Sequence, residues 1–162
     1  MRFYLLDRVT EMIPGKSIEG IKCWSMSDEI FNEHFPGFPV VPGVLLTESK
    51  AQLMGLLIEK SHELEYQNTS GVYVLLAIIQ KAKFRSLVIP GDQCIIKGEL
   101  KSIDINRASG HVKTYVNGNC VAEANLSFIV LPKDTAPENK YAYKRDEYLD
   151  ILFNKINRFN GF

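Results

Sequence analysis

The sequence predicts an α+β fold in which an antiparallel sheet wraps around a long, central, apolar helix. The segment from Val44 to about Lys60 is apolar on most faces, and helices of that kind are usually buried. The segments after it alternate apolar and polar residues with period two, which is typical of half-buried strands. Hydrophobic residues make up 46% of the 162 positions, which is enough for the core of one domain.

Composition excludes several functions. The formal net charge is zero, whereas broad nucleic-acid binding requires a strongly basic surface. No apolar run approaches the roughly 20 residues that span a bilayer, and Asp7 and Arg8 come too early for a secretory apolar region. Cys23, Cys94 and Cys120 lack CxxC spacing, so we expect reduced thiols in a cytoplasmic protein and no metal site.

Three short elements are predicted before the central helix. They are a short strand or turn over residues 3–9, a strand over 18–25 and one helical turn over 27–34, with a turn at Pro14-Gly15. The loop 35–43 then holds three prolines and two glycines. This composition excludes regular structure and makes the loop stiff.

After the helix, residues 62–71 are predicted as a loop, and strands follow. The run 72–79 is nearly all apolar, as in a central strand, and continues into an alternating segment over 80–85. Further strands are expected over 94–101, 111–116 and 120–130, and Asn117-Gly118 is a strong hairpin signal between the last two.

The composition changes after Pro132, which predicts a domain over 1–132 and an appendage over 133–162. Residues 133–140 are expected to be a linker. Apolar residues then recur at helical spacing over 145–159, and they predict a C-terminal amphipathic helix packed on its own domain or on a partner. These residues are Leu149, Leu152, Phe153, Ile156 and Phe159.

His34 and Glu48 are the candidate catalytic pair. His34 directly precedes the stiff loop and Glu48 lies in the apolar helix, and a histidine with a carboxylic acid is the minimum set for acid–base chemistry. Gly43 precedes the helix, where unpaired N–H groups can hold a carbonyl oxygen. Together the three suit elimination of water from a 3-hydroxyacyl group. The alternatives are a structural histidine, an acid favoured by the helix dipole and a glycine needed only for the turn.

The stretch HFPGFPVVPGVLLTESKAQ at 34–52 resembles the signature of bacterial 3-hydroxyacyl-(acyl carrier protein) dehydratases of the FabZ type, which have the hot-dog fold. The resemblance extends to LLDRV at 5–9, PGKSI at 14–18 and KFRSLVIPGDQ at 83–93. The matching signature positions are His34, Pro36, Gly37, Pro39, Pro42, Gly43, Val44, Glu48, Ala51 and Gln52.

The resemblance implies a role for each matching polar residue. His34 would be the base at the α-carbon, and Glu48 of the other subunit of a dimer would protonate the departing hydroxyl. The related dehydratase-isomerases have Asp at this position, so Glu48 favours the simple dehydratase. The Gly43 amide would polarise the thioester carbonyl, and Gln52 would support Glu48. The expected oxyanion and substrate-binding residues are Gly43, Phe35, Val44 and Gln52.

The resemblance also implies partners. The substrate would be carried on the phosphopantetheine of acyl carrier protein, with no metal or organic cofactor. Because that carrier is acidic, Lys81, Lys83 and Arg85 form a candidate docking patch; the alternative is a solvated strand face. The protein would be a homodimer, with a trimer of dimers as a larger assembly.

Four residues of the site region depart from the pattern, Glu33, Thr47, Ser49 and Lys50, and the last three replace mostly apolar residues around Glu48. Glu33 stands where the family usually has glycine, and we expect Lys50 to line the dimer seam or the tunnel mouth. Two other functions therefore stay open, a hot-dog acyl thioesterase and a non-catalytic subunit that binds acyl groups or the carrier.

Overall fold

The computed structural model describes residues 3–135 and 142–153. Within them, six strands form one antiparallel sheet in the order β1-β2-β4-β5-β6-β3, and helix α1 packs against it. The elements are β1 (Arg8–Ile13), β2 (Ser17–Cys23), α1 (Gly43–Glu65), β3 (Val72–Phe84), β4 (Gln93–Ile103), β5 (Arg107–Val116), β6 (Asn119–Pro132) and α2 (Ala142–Leu152), with 3-10 turns at Glu29–Asn32 and Lys133–Thr135.

Helix α1 is the centre of the core, as the sequence predicts. Leu53 and Met54 are fully buried, and the sheet approaches them closely. A Cβ at Gly98 would lie 2.5 Å from the sulfur of Met54, and one at Gly20 would lie 2.7 Å from Cδ1 of Leu53. Glycine in these strands therefore lets the sheet curl around the helix.

The helix is longer than predicted. It continues to Glu65 rather than ending near Lys60, because residues 61–65 contain no glycine or proline to break it. His62, expected in a loop, is buried, and its Nε2 lies 3.1 Å from the carbonyl oxygen of Ile105. The chain leaves the helical path at Gln67, which has a φ of 50°.

The prediction of a central strand at 72–79 is wrong. In the described sheet β3 lies at the edge and pairs with β6. Leu75, Ile78 and Ile79 are 49%, 56% and 49% exposed. An apolar run indicates that its side chains need to be buried, but it does not show which other residues pack on them. The sequence therefore could not distinguish a central strand from an apolar edge strand.

Two other boundaries differ from the predictions. Strand β1 begins at Arg8, so most of the segment 3–9, predicted as a short strand or turn, precedes it. Strand β5 begins at Arg107, inside a stretch expected to be a loop, because the Asp104 carboxylate accepts the N–H groups of Asn106 and Arg107 and tightens the turn. The hairpin at Asn117-Gly118 is confirmed, with φ angles of 49° and 80°.

Helix α2 packs on its own domain, which was one of the two alternatives. Leu152 is fully buried, and the Tyr148 hydroxyl donates to the carbonyl oxygen of Leu6 at 2.9 Å. Ile156 and Phe159 of the predicted helix lie outside the described residues, as does most of the predicted linker. No helix in residues 3–135 and 142–153 is long and apolar enough to cross a membrane.

Candidate active site

The loop before α1 is rigidly closed on itself. Phe35 and Phe38 exchange two backbone hydrogen bonds of 2.9 Å, and Gly37 supplies the positive φ of 76° that this tight turn requires. The Val40 N–H donates to the carbonyl oxygen of His34 at 2.9 Å, and the Val41 N–H donates to Val88 at 2.8 Å. The predicted stiffness thus has a hydrogen-bonded basis, and it holds His34 in place.

The imidazole ring of His34 is fixed by two contacts. The side chain is half-buried, stacks on Phe35 with ring centroids 4.1 Å apart, and places Nδ1 2.7 Å from the carbonyl oxygen of Val40. Because a carbonyl oxygen only accepts, Nδ1 carries the hydrogen in this contact. The lone pair of a neutral imidazole is then on Nε2, where it can take a proton. The neighbouring Glu33 is exposed.

Glu48 is held by Gln52, as expected for residues four apart on a helix. The Gln52 Nε2 donates to Oε1 of Glu48 at 3.0 Å. The other contacts of Gln52 fix its amide, since Oε1 accepts the N–H of Leu5 at 2.9 Å and Nε2 donates to the carbonyl oxygen of Phe3 at 3.0 Å. The amide therefore presents a donor to Glu48. No sequence pattern indicates the roles of Phe3 and Leu5, because backbone contacts leave no side-chain signature.

The start of α1 offers unpaired donors. The N–H groups of Leu45 and Leu46 donate to Pro42, whereas those of Gly43 and Val44 have no hydrogen-bond partner among the described residues. A Cβ at Gly43 would lie 2.9 Å from the ring of Phe84. Close packing on that ring, rather than a turn, thus explains why residue 43 is glycine. The unpaired N–H groups of Gly43 and Val44 can hold a carbonyl oxygen.

One chain does not bring the predicted acid and base into one cavity. A cavity of about 480 Å³ is lined by Glu48 and Gln52, while His34 is not part of its lining. Phe35 and Val44, both expected to contact substrate, are 52% and 74% exposed. The surface around His34 thus lies open in the isolated chain.

Lys50 does not occupy the position expected for it. It is fully buried, and its Nζ donates to the carbonyl oxygen of Leu46 at 2.9 Å and lies 5.8 Å from the centre of the Phe84 ring. Burial lowers the pKa of this amine to about 8, against the smaller opposing influence of the Cys94 and Cys120 thiols. Lys50 therefore lies in the core of the chain rather than at an open tunnel mouth.

The three basic residues of the candidate docking patch are all exposed. Lys81 and Lys83 lie on the edge strand β3, and Arg85 directly follows it. Arg85 donates to Glu123 on β6 at 2.6 Å, so part of its charge is already paired. Within the described residues, no group of histidine, cysteine, aspartate or glutamate side chains is arranged to hold a metal ion.

An antiparallel sheet that wraps around one long helix defines the hot-dog fold. A solved structure with this fold is the dehydratase heterocomplex ApeI:P from Xenorhabdus doucetiae, with a TM-score of 0.66 and 18% identity over 82% of this chain and 86% of that one. At this identity the likeness concerns the fold.

The sequence comparisons define the family. Residues 1–125 match the FabA-like domain, so the chain belongs to the FabA-like family. It is 39% identical over 132 residues to the 3-hydroxyacyl-(acyl-carrier-protein) dehydratase FabZ of Lawsonia intracellularis, covering 82% of this chain and 85% of that protein. It is 42% identical over 135 residues to the FabZ of Nitratiruptor sp., covering 81% and 89%.

Proposed function

We propose that this protein is a 3-hydroxyacyl-(acyl carrier protein) dehydratase that forms the trans-2-enoyl thioester in fatty acid synthesis or a related polyene or polyketide-type pathway. The relatives that share about 40% identity carry this activity in their names. The observation that carries the proposal is the contact between Nδ1 of His34 and Val40 at 2.7 Å, because it leaves Nε2 as a base at a fixed position.

The proposed reaction uses side-chain and backbone groups only. Nε2 of His34 removes a proton from the α-carbon. The carboxyl group of Glu48 protonates the hydroxyl on the β-carbon, and this hydroxyl leaves as water. The electron pair of the broken C–H bond forms the double bond. The N–H groups of Gly43 and Val44 stabilise the negative charge that develops on the thioester oxygen. Phe35 flanks the reacting carbons, and Gln52 orients Glu48.

The active enzyme is proposed to be a homodimer in which His34 of one subunit works with Glu48 of the other. Two observations support this assembly. The cavity at Glu48 lacks His34, and the edge strand β3 presents half-exposed Leu75, Ile78 and Ile79, an arrangement that favours pairing with a second chain. A trimer of dimers is a further level of the proposed assembly.

Acyl carrier protein is the proposed partner, with the acyl group on its phosphopantetheine arm and no metal or organic cofactor. Exposed Lys81, Lys83 and Arg85 are the candidate contact with this acidic carrier. The cysteines Cys23 and Cys94 are free thiols, as is Cys120, which favours the reducing cytoplasm as the compartment.

The catalytic pair is tested by the variants His34→Ala and Glu48→Gln, assayed for hydration of a crotonyl thioester. Each is expected to lose at least about 100-fold in kcat, because acid–base groups contribute roughly 10²–10⁴-fold. Glu63→Gln is the matched control, since Glu63 is an exposed acid on the same helix. Near-normal turnover by a folded His34→Ala or Glu48→Gln protein would contradict the mechanism.

A second assay, in the direction of dehydration, separates the proposed activity from thioester hydrolysis. Incubation with a 3-hydroxyacyl thioester should give the enoyl product and no free thiol. Release of thiol without enoyl product would instead identify an acyl thioesterase. No turnover together with retained binding of acyl carrier protein would identify a non-catalytic subunit.

A further inference from the structure

A cavity of about 480 Å³ extends along α1 from Glu48. On the α1 side it is lined by Glu48, Gln52, Gly55 and Glu59, whose spacing of three and four residues places them on one face of the helix. Glu59 is three helical turns beyond Glu48, which is roughly 16 Å along the helix axis. The cavity thus leads away from the proposed acid toward the second half of α1.

The other walls are mainly apolar. The sheet contributes Val72, Val74 and Leu76 from β3 and Phe128 from β6. The α2 helix contributes Leu149 and Leu152, together with the polar residues Lys144, Arg145 and Tyr148.

Helix α2 is anchored beside the cavity at two points. Arg145 forms an ion pair with Glu59, and the Tyr148 hydroxyl bonds the backbone of Leu6. Leu152 is fully buried, and Leu149 packs against the core. The match to the FabA-like domain ends at residue 125, so α2 lies outside the region that defines the family.

We propose that this cavity holds the acyl chain of the substrate, and that Leu149 and Leu152 of α2 form the wall that limits the length of chain accepted. The inference rests on the proposed function, because Glu48 must act at the β-carbon for the rest of the chain to extend along α1. A hydrocarbon chain fits the leucine, valine and phenylalanine walls. A phosphopantetheine arm would leave amide groups without partners along these apolar walls, at a cost in free energy.

The test uses variants that change the cavity from both sides. Leu149→Ala and Leu152→Ala enlarge it from α2. Gly55→Leu reduces it from α1, where a Cβ would meet no atom within 4 Å. Ile151→Ala is the matched control, because Ile151 is an apolar residue of α2 that is 52% exposed and does not line the cavity. Each variant is assayed with 3-hydroxybutyryl, 3-hydroxyoctanoyl and 3-hydroxypalmitoyl carrier-protein thioesters.

The expected result is a change in the ratio of kcat/KM for long and short substrates. The alanine variants should raise this ratio, and Gly55→Leu should lower it. The change should be about tenfold or more, which is the discrimination that a hydrophobic pocket gives for a methylene group. Ile151→Ala should keep the wild-type ratio. If Leu152→Ala does not fold because Leu152 is fully buried, Leu149→Ala and Gly55→Leu still test the inference.

Two outcomes would overturn the inference. If folded Gly55→Leu and Leu149→Ala proteins both kept the wild-type ratio, the cavity would not hold the variable part of the substrate. If Gly55→Leu changed the ratio and folded Leu149→Ala did not, α2 would not select chain length, although the dehydratase activity would stand. Absence of wild-type activity on all three substrates would reject the proposed function itself, and the inference with it.

Discussion

At the scale of single residues, Lys50 is the least expected feature of the protein. Its ammonium group is fully buried and donates to one backbone carbonyl, and no carboxylate pairs with it among the residues described here. Burial of an unpaired charge costs free energy, which agrees with its pKa being lowered to about 8. Below that pH the folded protein must keep this charge in its core.

Replacing Lys50 by methionine is therefore expected to stabilise the fold. Lys50→Met keeps an unbranched chain of similar length and removes the buried charge, so the free energy of unfolding should rise by about 1–3 kcal/mol at pH 7. Chemical denaturation measures the change. Lys60→Met is the matched control, because Lys60 lies on the same helix but is about half exposed and pairs with Glu63 at the surface. Destabilisation by Lys50→Met alone would contradict this account.

The lowered pKa of Lys50 also predicts that the free energy of unfolding depends on pH. Between about pH 8 and 10.5 the unfolded chain holds a proton on Lys50 that the folded chain has lost, so the free energy of unfolding rises with pH. The rise should be about 1 kcal/mol between pH 8 and 9. Above pH 9 the Cys94 thiol opposes it, because burial raises the pKa of that thiol from 9.0 to about 11.

Denaturation of wild type and Lys50→Met across pH 7–10 isolates this effect. The difference in stability between the two proteins should shrink as pH rises, since the contribution of Cys94 is common to both. A difference that stayed constant with pH would show that Lys50 does not titrate in this range.

At the scale of elements, Gln52 connects the N-terminal segment to α1. Its amide bonds the backbone of Phe3 and Leu5 and donates to Glu48. The segment before β1, which is not a strand, thus determines how Glu48 is presented. The stiff loop before α1 does the same for His34 through Val40.

Gln52→Leu should therefore lower kcat with little change in KM for a crotonyl thioester. Loss of a hydrogen bond to a charged group costs about 1.5–3 kcal/mol, which corresponds to roughly ten- to hundredfold in rate. Steady-state kinetics with a thermal melt measure both activity and folding. Gln80→Leu is the control, since the Gln80 amide bonds Ser127 on β6 and does not contact Glu48. An unchanged kcat in Gln52→Leu would show that Gln52 does not position the acid.

At the scale of the whole molecule, the chain exposes apolar surface that the proposed second subunit would cover. The apolar edge of β3 and the side chains of Phe35 and Val44 are all exposed. Burial of such surface is the main driving force for association. A dimer would also bring a His34 loop to the cavity of the other subunit.

Mixing inactive subunits tests the shared site. Co-expressed His34→Ala and Glu48→Gln chains should recover roughly a quarter of wild-type activity, because half of randomly formed dimers are mixed and each holds one intact site. The measurement is crotonyl hydration by the co-purified mixture. Each variant expressed alone is the control and should remain inactive. No recovery in a verified mixed dimer would place both groups of a site in the same chain.

The sequence by itself determined the features that depend on local signals. The apolar helix around Leu53, the hairpin at Asn117-Gly118 and the stiff loop after His34 follow from periodicity, turn propensity and proline content. Only the tertiary structure decided that β3 is an edge, that Lys50 is buried and that α2 closes a cavity. These features depend on which elements pack together in space. A residue pattern indicates that a side chain is to be buried, but it does not show which element packs against it.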